Sequence, residues 1–163
     1  MKMVLEPLSS DVRNAVIDIF NYYVENSFSA YPETAVPYDF FAVLLKMCSG
    51  YPSVVARDEG GSVIGFGMLR AYNAIPTFSR TAEVTYFLKP GYTGRGVGKA
   101  ILDYLATRGK EQGLTSILAS ISSLNEGSIR FHLRNGFLEC GRFRNIGVKK
   151  GAAFDVVYHQ RLL

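Results

Sequence analysis

The stretch YFLKPGYTGRGVGKAILDYL, residues 86–105, decides how the rest of the chain is read. It opens as the end of a β-rich run, stops at Pro90, places Gly94, Gly96 and Gly98 at every second position, and then takes on helical periodicity. Glycine loses more conformational freedom on folding than any other residue, so three in five positions need a compensating purpose. A strand that ends in a glycine loop opening a helix aims several unpaired N–H groups at one point, with the positive end of the helix dipole behind them. That arrangement suits a pyrophosphate or a similar anion. Two nucleotide motifs fail on spacing. The dinucleotide fingerprint, started at Gly94 and Gly96, puts Lys99 where its third glycine belongs; the Walker pattern finds Thr93 at its first glycine and Ala100 after Gly98 and Lys99. A glycine-rich turn without a ligand is the competing reading of this segment alone.

In the preceding strand, TAEVTYFL at 81–88, Ala82, Val84, Tyr86 and Leu88 alternate with Glu83, Thr85 and Phe87 on the opposite face. A carboxylate in mid-strand is unfavourable unless it meets solvent, an ion-pair partner such as Arg80 or a neighbour, or a substrate. As a functional group, Glu83 can accept a proton from an amine, directly or through water. Beyond the loop, Val97, Ile101, Tyr104, Leu105 and Arg108 trace one helical face ending at Gly113. SILASIS at 116–122 reads as a strand, and NEGSIRFHLRN at 125–135 as a short helix, with Asn125 placed to cap it and Gly136 to close it. That helix carries His132, one of two histidines. A lone helical histidine is ordinarily structural or exposed. The segments 137–148 and 154–163 form a closing hairpin that turns at 149–151.

Upstream, 3–8 reads as a short strand, 9–27 as an amphipathic helix with a serine or aspartate cap, 29–37 as a two-proline loop, and 38–50 as a second helix opened by Pro37 and closed by Gly50. A hairpin over 54–57 and 63–72 turns at 58–61. The order β-α-α-β-β-β-α-β-α-β-β, without repeats, predicts an α/β (α+β) domain with a mixed sheet covered by helices. With 163 residues, 48% of them hydrophobic, one domain spanning 1–163 can bury a core without disulfide or metal. Cys48 and Cys140 are isolated and read as buried, reduced thiols. The N-terminus lacks the apolar core of a signal peptide and no run reaches membrane-spanning length, so a cytoplasmic, membrane-free protein is expected. A net charge of +4 mildly favours an anionic ligand and suits a phosphate-bearing small molecule as readily as RNA. The basic residues are scattered apart from Arg142, Arg144, Lys149 and Lys150, without the stripe or module of a nucleic-acid binder, so no nucleic-acid partner is expected. Paired cysteines, an HExxH helix and a Ser-His-Asp order are all missing, which leaves metal catalysis and acyl-enzyme hydrolysis unsupported.

Taken together, the strand, GYTGRGVGKAIL, SILASI and NEGSIRFHLRNGF resemble the acyl-CoA-binding core of the GNAT N-acetyltransferase superfamily. Asn125, Ser128, His132, Gly136 and Phe137 fill the downstream helix motif of that family. TAEVTYFLKP, IRFHLRNGF, the C-terminal hairpin and the hairpin at 54–72 are closer still to its phosphinothricin acetyltransferase-like, or L-amino acid N-acyltransferase, branch. About two-thirds of the chain carries the resemblance, and the first 50 residues share only the layout.

The resemblance implies a mixed, mostly antiparallel seven-stranded sheet flanked by about four helices. It implies acetyl-CoA as cosubstrate and no metal. The diphosphate would be held by the amides of Gly94, Arg95, Gly96, Val97, Gly98 and Lys99, pantetheine would lie along Tyr86, Phe87 and Leu88, and Asn125 would touch the cofactor. Glu83 would be the base and His132 would stand where relatives place a tyrosine general acid. A strand N–H near 86–88 would hold the oxyanion. Phe28, Tyr31, Tyr72, Asn73 and Thr85 are the candidate acceptor-site residues, and a homodimer is implied. Two positions depart from the pattern. Thr93 replaces the usual Arg or Gln, and Ala153 and Phe154 replace a bulky Trp-His pair, while Asp155 is kept.

The implied activity is acetyl transfer to the primary amine of a small molecule, an amino acid or an analogue such as phosphinothricin or methionine sulfone. Acetylation of protein N-termini or of polyamines is an alternative within enzymes, although Glu33, Asp39 and Glu83 are a thin acidic cleft for a polyamine. A non-catalytic acyl-CoA sensor is an alternative of a different class.

Overall fold

The computed structural model describes all 163 residues. Its elements are β1 (Met3–Glu6), α1 (Arg13–Asn26), α2 (Phe41–Met47), β2 (Ser53–Asp58), β3 (Val63–Ala71), β4 (Thr81–Leu88), α3 (Val97–Glu111), β5 (Ser116–Ser122), α4 (Glu126–Arg134), β6 (Leu138–Lys149) and β7 (Ala152–Leu162). All seven strands join one sheet in the order β1-β2-β3-β4-β5-β7-β6. Every neighbouring pair is antiparallel except β4 with β5. The expected architecture, a mixed and mostly antiparallel seven-stranded sheet with four helices, is the one found.

The alternation read in β4 sorts the two cores. Val84 and its face pack with Val97, Ile101, Leu102 and Leu105 of α3. Phe87, on the other face, packs with Val16, Ile17 and Phe20 of α1 and Phe41 and Leu44 of α2. Removing each such side chain from water contributes about 1.5–3 kcal/mol, which fixes the helices to their faces. The buried stripe of α3 differs from the expected one: Tyr104 is half-buried and Arg108 exposed, while Leu102 and Ala106 turn inward. A 100° turn per residue admits either neighbour, and Gly65 and Gly67 of β3 decide it by letting Ile101 approach the sheet backbone directly.

Two local expectations fail. No side chain caps α1; a 3-10 turn, Ser10–Val12, leads into it, and Asp11 instead pairs with Arg57 at 2.9 Å. Cys140 is exposed, whereas Cys48 is buried as expected, and both are free thiols.

The parallel β4–β5 ladder is short. It joins Thr81 to Ser116, Ala82 to Ile117 and Glu83 to Leu118, and then the strands part. Thr85, Tyr86, Phe87 and Leu88 are consequently only half-buried in the middle strand of the sheet. Where β4 and β5 separate, the sheet has an open notch.

Candidate active site

The notch exposes main-chain donors. In the antiparallel β3–β4 ladder, Lys89 N–H donates to Ile64 O at 2.9 Å, so alternate residues Phe87 and Thr85 bond across to β3. Tyr86 and Leu88 therefore turn their backbone groups toward β5 and the notch. Leu88 O there accepts the Tyr23 hydroxyl at 2.6 Å. An extended chain laid in the notch would meet strand-like hydrogen-bonding groups, as pantetheine requires.

The glycine loop lies just beyond. Gly94 and Gly96 have φ of 74° and 82°, in the left-handed region that favours glycine, and a Cβ on either would project into open space. Gly96 is the residue at the start of α3, and no side chain caps it. The first helical bond runs from Ala100 N–H to Gly96 O at 3.0 Å, so the N–H groups of Val97, Gly98 and Lys99 have no helical partner. Arg95 rests over the Tyr92 ring, 5.3 Å from its centre, and Lys99 pairs with Asp103. These are the free donors and the bare backbone that a diphosphate needs. Asn125 starts α4, and its Oδ1 accepts from Ser128 N–H at 3.2 Å, which leaves its NH2 free of that bond.

Glu83 stands at the last paired position before the strands part, only 8% exposed. Its partner is Arg70, which lies opposite in the β3–β4 register, with Nη2 at 2.5 Å from Oε2. Arg80 is engaged elsewhere, donating to Gly113 O at 3.4 Å. Sequence reading missed Arg70, although the register that opposes it to Glu83 would have found it.

Glu83's face continues across the sheet. Glu83 pairs with Leu118, Leu118 with Gln160, and Ser120 with Tyr158, so Glu83, Ser120 and Tyr158 look out on the same side. A cavity of about 360 Å³ opens there, lined by Tyr31, Ser120, Phe154, Tyr158 and the bulged end of β6. The Tyr31 phenol sits among Ser120, Tyr158 and Glu83, and burial pushes its pKa above the ordinary value. Tyr31 stacks on Phe154 with centroids 5.6 Å apart, and Phe28 meets the same ring at 6.3 Å.

Three further residues shape this cavity. Gly147 lies opposite Phe154, and a Cβ on it would stand 2.3 Å from the ring, so Phe154 folds flat over bare backbone. Asp155 pins the β6 bulge by accepting from Asn145 N–H at 2.7 Å and Arg142 Nη1 at 2.8 Å, contacts that lower its carboxyl pKa. Lys149, 1% exposed, donates to the carbonyls of Val24, Ser27 and Ala30 at 2.6–2.7 Å. It thereby ties the loop bearing Phe28 and Tyr31 to the end of α1. Tyr72 and Asn73 do not line the cavity; Tyr72 is exposed against Phe78, and Asn73 Oδ1 accepts from Ile75 N–H. Thr85 lies on the Glu83 face, half-buried at the notch.

His132 is not at the surface of the site. It is 3% exposed, with Nδ1 at 2.7 Å from Ser128 O and Nε2 at 2.5 Å from the Tyr86 hydroxyl. Burial, with His159 nearby, pushes its pKa down to about 4 against the opposing pull of the Ser128 carbonyl. The ring is neutral at pH 7 and has no charge-borne proton to give. Its contact on the notch side is with Tyr86, whose own phenol burial holds far above the ordinary range.

A half-open sheet and a donor-rich helix start, with a buried carboxylate where β4 and β5 part, are the features an acyl-CoA-binding site requires. The acetyltransferase (GNAT) family model matches residues 16–137, and the chain belongs to that family. An L-methionine sulfoximine/L-methionine sulfone acetyltransferase of Pseudomonas aeruginosa is 29% identical over 164 residues, 94% of each chain. A phosphinothricin N-acetyltransferase of Streptomyces coelicolor is 30% identical over 150 residues, 90% of this chain and 88% of that one. The crystal structure of a GNAT superfamily phosphinothricin acetyltransferase from Sinorhizobium meliloti, in complex with AcCoA, superposes with a TM-score of 0.94 at 30% identity. That superposition covers 100% of this chain and 89% of the other.

Proposed function

We propose that this chain acetylates the primary amine of a small molecule, an amino acid or an analogue such as phosphinothricin or methionine sulfone, by direct attack on acetyl-CoA in a ternary complex. The observation that carries this reading is the position of Glu83, a buried carboxylate at the point where β4 and β5 part. Acetyl-CoA, when bound, supplies the thioester. The N–H groups at the start of α3 hold its diphosphate, and the Asn125 side chain touches the cofactor from the start of α4. Glu83 accepts the amine proton, directly or through water, because an α-amino group with a pKa near ~8 is mostly protonated at neutral pH. The amine nitrogen then bonds to the acetyl carbon as the carbon–sulfur bond breaks, and the surplus proton left on the nitrogen passes to the departing thiolate. The Tyr86 and Leu88 N–H groups face the charge that develops on the acetyl oxygen. A thiol of pKa near ~8.5 is a competent leaving group and needs little acid help. His132 contributes by holding the Tyr86 hydroxyl and α4 in place.

Two wider features follow the same reading. The chain works in the cytoplasm, where an exposed free thiol such as Cys140 stays reduced. It forms a homodimer. The test is release of free CoA thiol from acetyl-CoA over a panel of amino acids, phosphinothricin, methionine sulfone, polyamines and short peptides. Release with an amino-acid class supports the reading; release only with polyamines or peptides replaces the acceptor. Silence with bound acetyl-CoA replaces the enzyme with a sensor.

A further inference from the structure

The cavity beside Glu83 has an uneven chemistry. Its walls are Phe154 and Tyr31, stacked, with Val156 and Tyr158 of β7, while Ile146 at 57% exposure forms the rim. No guanidinium lines it. Its one ammonium, on Lys149, is committed to the carbonyls of Val24, Ser27 and Ala30. The Arg142 guanidinium is likewise held by Asp155 outside the lining. The hydroxyls of Tyr31, Ser120 and Tyr158 cluster at the Glu83 end. There too stands Arg70, about a third of whose side chain is exposed, beside the carboxylate.

We propose that the acceptor is an α-amino acid with an uncharged, apolar side chain, which lies against Phe154 while its amine and carboxylate stay at the Glu83–Arg70 end; this deepens the N-acetyltransferase reading above and rests on it. An anionic side chain such as a phosphinate would enter an apolar wall with no free cation to meet it, and an unpaired charge is the least favourable thing to bury. A sulfone adds two strong acceptors to the same wall. A thioether or a hydrocarbon asks for nothing but contact. The volume, at the low end of the roughly 300–1,000 Å³ usual for small-molecule sites, fits one amino acid better than a peptide. Phe154 is the residue that sets this preference, and Gly147 is what lets it lie flat.

The experiment compares kcat/KM at saturating acetyl-CoA for L-methionine, L-leucine, L-phenylalanine, methionine sulfone and phosphinothricin. Methionine and its sulfone share backbone and chain length and differ only by the two sulfonyl oxygens, so their ratio reads what those oxygens meet at the wall. The expected result is at least ~10-fold in favour of methionine over both the sulfone and phosphinothricin, the lower end of what an apolar pocket achieves. Equal or better turnover of the sulfone or phosphinothricin overturns this inference and leaves the acetyltransferase reading standing. Thiol release from none of the amines, with acetyl-CoA bound, overturns both. As a second measurement, Ile146→Arg puts a cation on the exposed rim. It should raise the phosphinothricin-to-methionine ratio by ~10-fold, and an unchanged ratio would show that the side chain lies elsewhere.

Discussion

Glu83 Oε2 and Arg70 Nη2 stand 2.5 Å apart, across two strands that the register sets directly opposite. The candidate base is thus neither solvated nor alone. A buried carboxylate needs such a partner to remain ionised and able to accept a proton. Removing the guanidinium leaves that charge stranded. Arg70→Met should cost about 1–3 kcal/mol, as for a buried polar group that loses its partner. Adding Glu83→Gln to it should recover much of the loss, because a neutral amide tolerates the site better. Urea midpoints of the two single variants and the double variant measure the coupling.

His132 ties stability to pH. Its native pKa of about 4 lies below the ordinary 6.5, so the folded state binds fewer protons than the unfolded one between those values. The stability it supports is complete above pH 6.5 and is lost as pH falls toward 4. At pH 5 the loss relative to pH 7 is about 2 kcal/mol. Buried His159 acts in the same direction, so the comparison must be with a variant. His132→Gln should show a smaller drop in urea midpoint from pH 7 to pH 5 than the parent chain.

Phe154 and Gly147 make the acceptor wall jointly. Gly147→Ala places a methyl where the ring now lies, and the ring has to move. Overpacking of this kind costs about 1–3 kcal/mol. KM for the amine should rise while KM for acetyl-CoA stays unchanged, in steady-state kinetics with each substrate varied in turn.

Gly96 is tested the other way round. Its φ of 82° is left-handed, and a Cβ there meets no neighbour. Gly96→Ala therefore carries backbone strain of about 1–2 kcal/mol without a clash. The strain falls on the loop that presents the α3 donors. Acetyl-CoA should bind more weakly in calorimetry, while KM for the amine holds.

Much of this fold was legible because periodicity is local. The alternation in β4 sorted Val84 from Glu83 correctly, and the glycine loop is marked by residues that adopt its left-handed turn without a side-chain penalty. Long-range partners left no such mark. Lys149 reads as a solvated turn lysine, yet it is buried because the carbonyls of Val24, Ser27 and Ala30 come to it from more than a hundred positions away. His132 was visible as a motif residue, but its depth depends on Phe137, Tyr86 and His159 closing around it. Tyr72 and Asn73 follow a strand that heads toward the site, and the chain then carries them outward. Nothing local to Gly147 in the sequence marks the Phe154 ring that lies over it.

The central claim is that Glu83 takes the amine proton, and Glu83→Gln tests it most directly. Acetyl-CoA binding by calorimetry and thiol release with an active amine are measured on the same preparation. Unchanged acetyl-CoA affinity with turnover reduced by roughly 10²–10⁴-fold is the predicted result, the range for losing a positioned base. Turnover within a few-fold of the parent chain, at unchanged affinity, would contradict it and move the proton acceptor to another group.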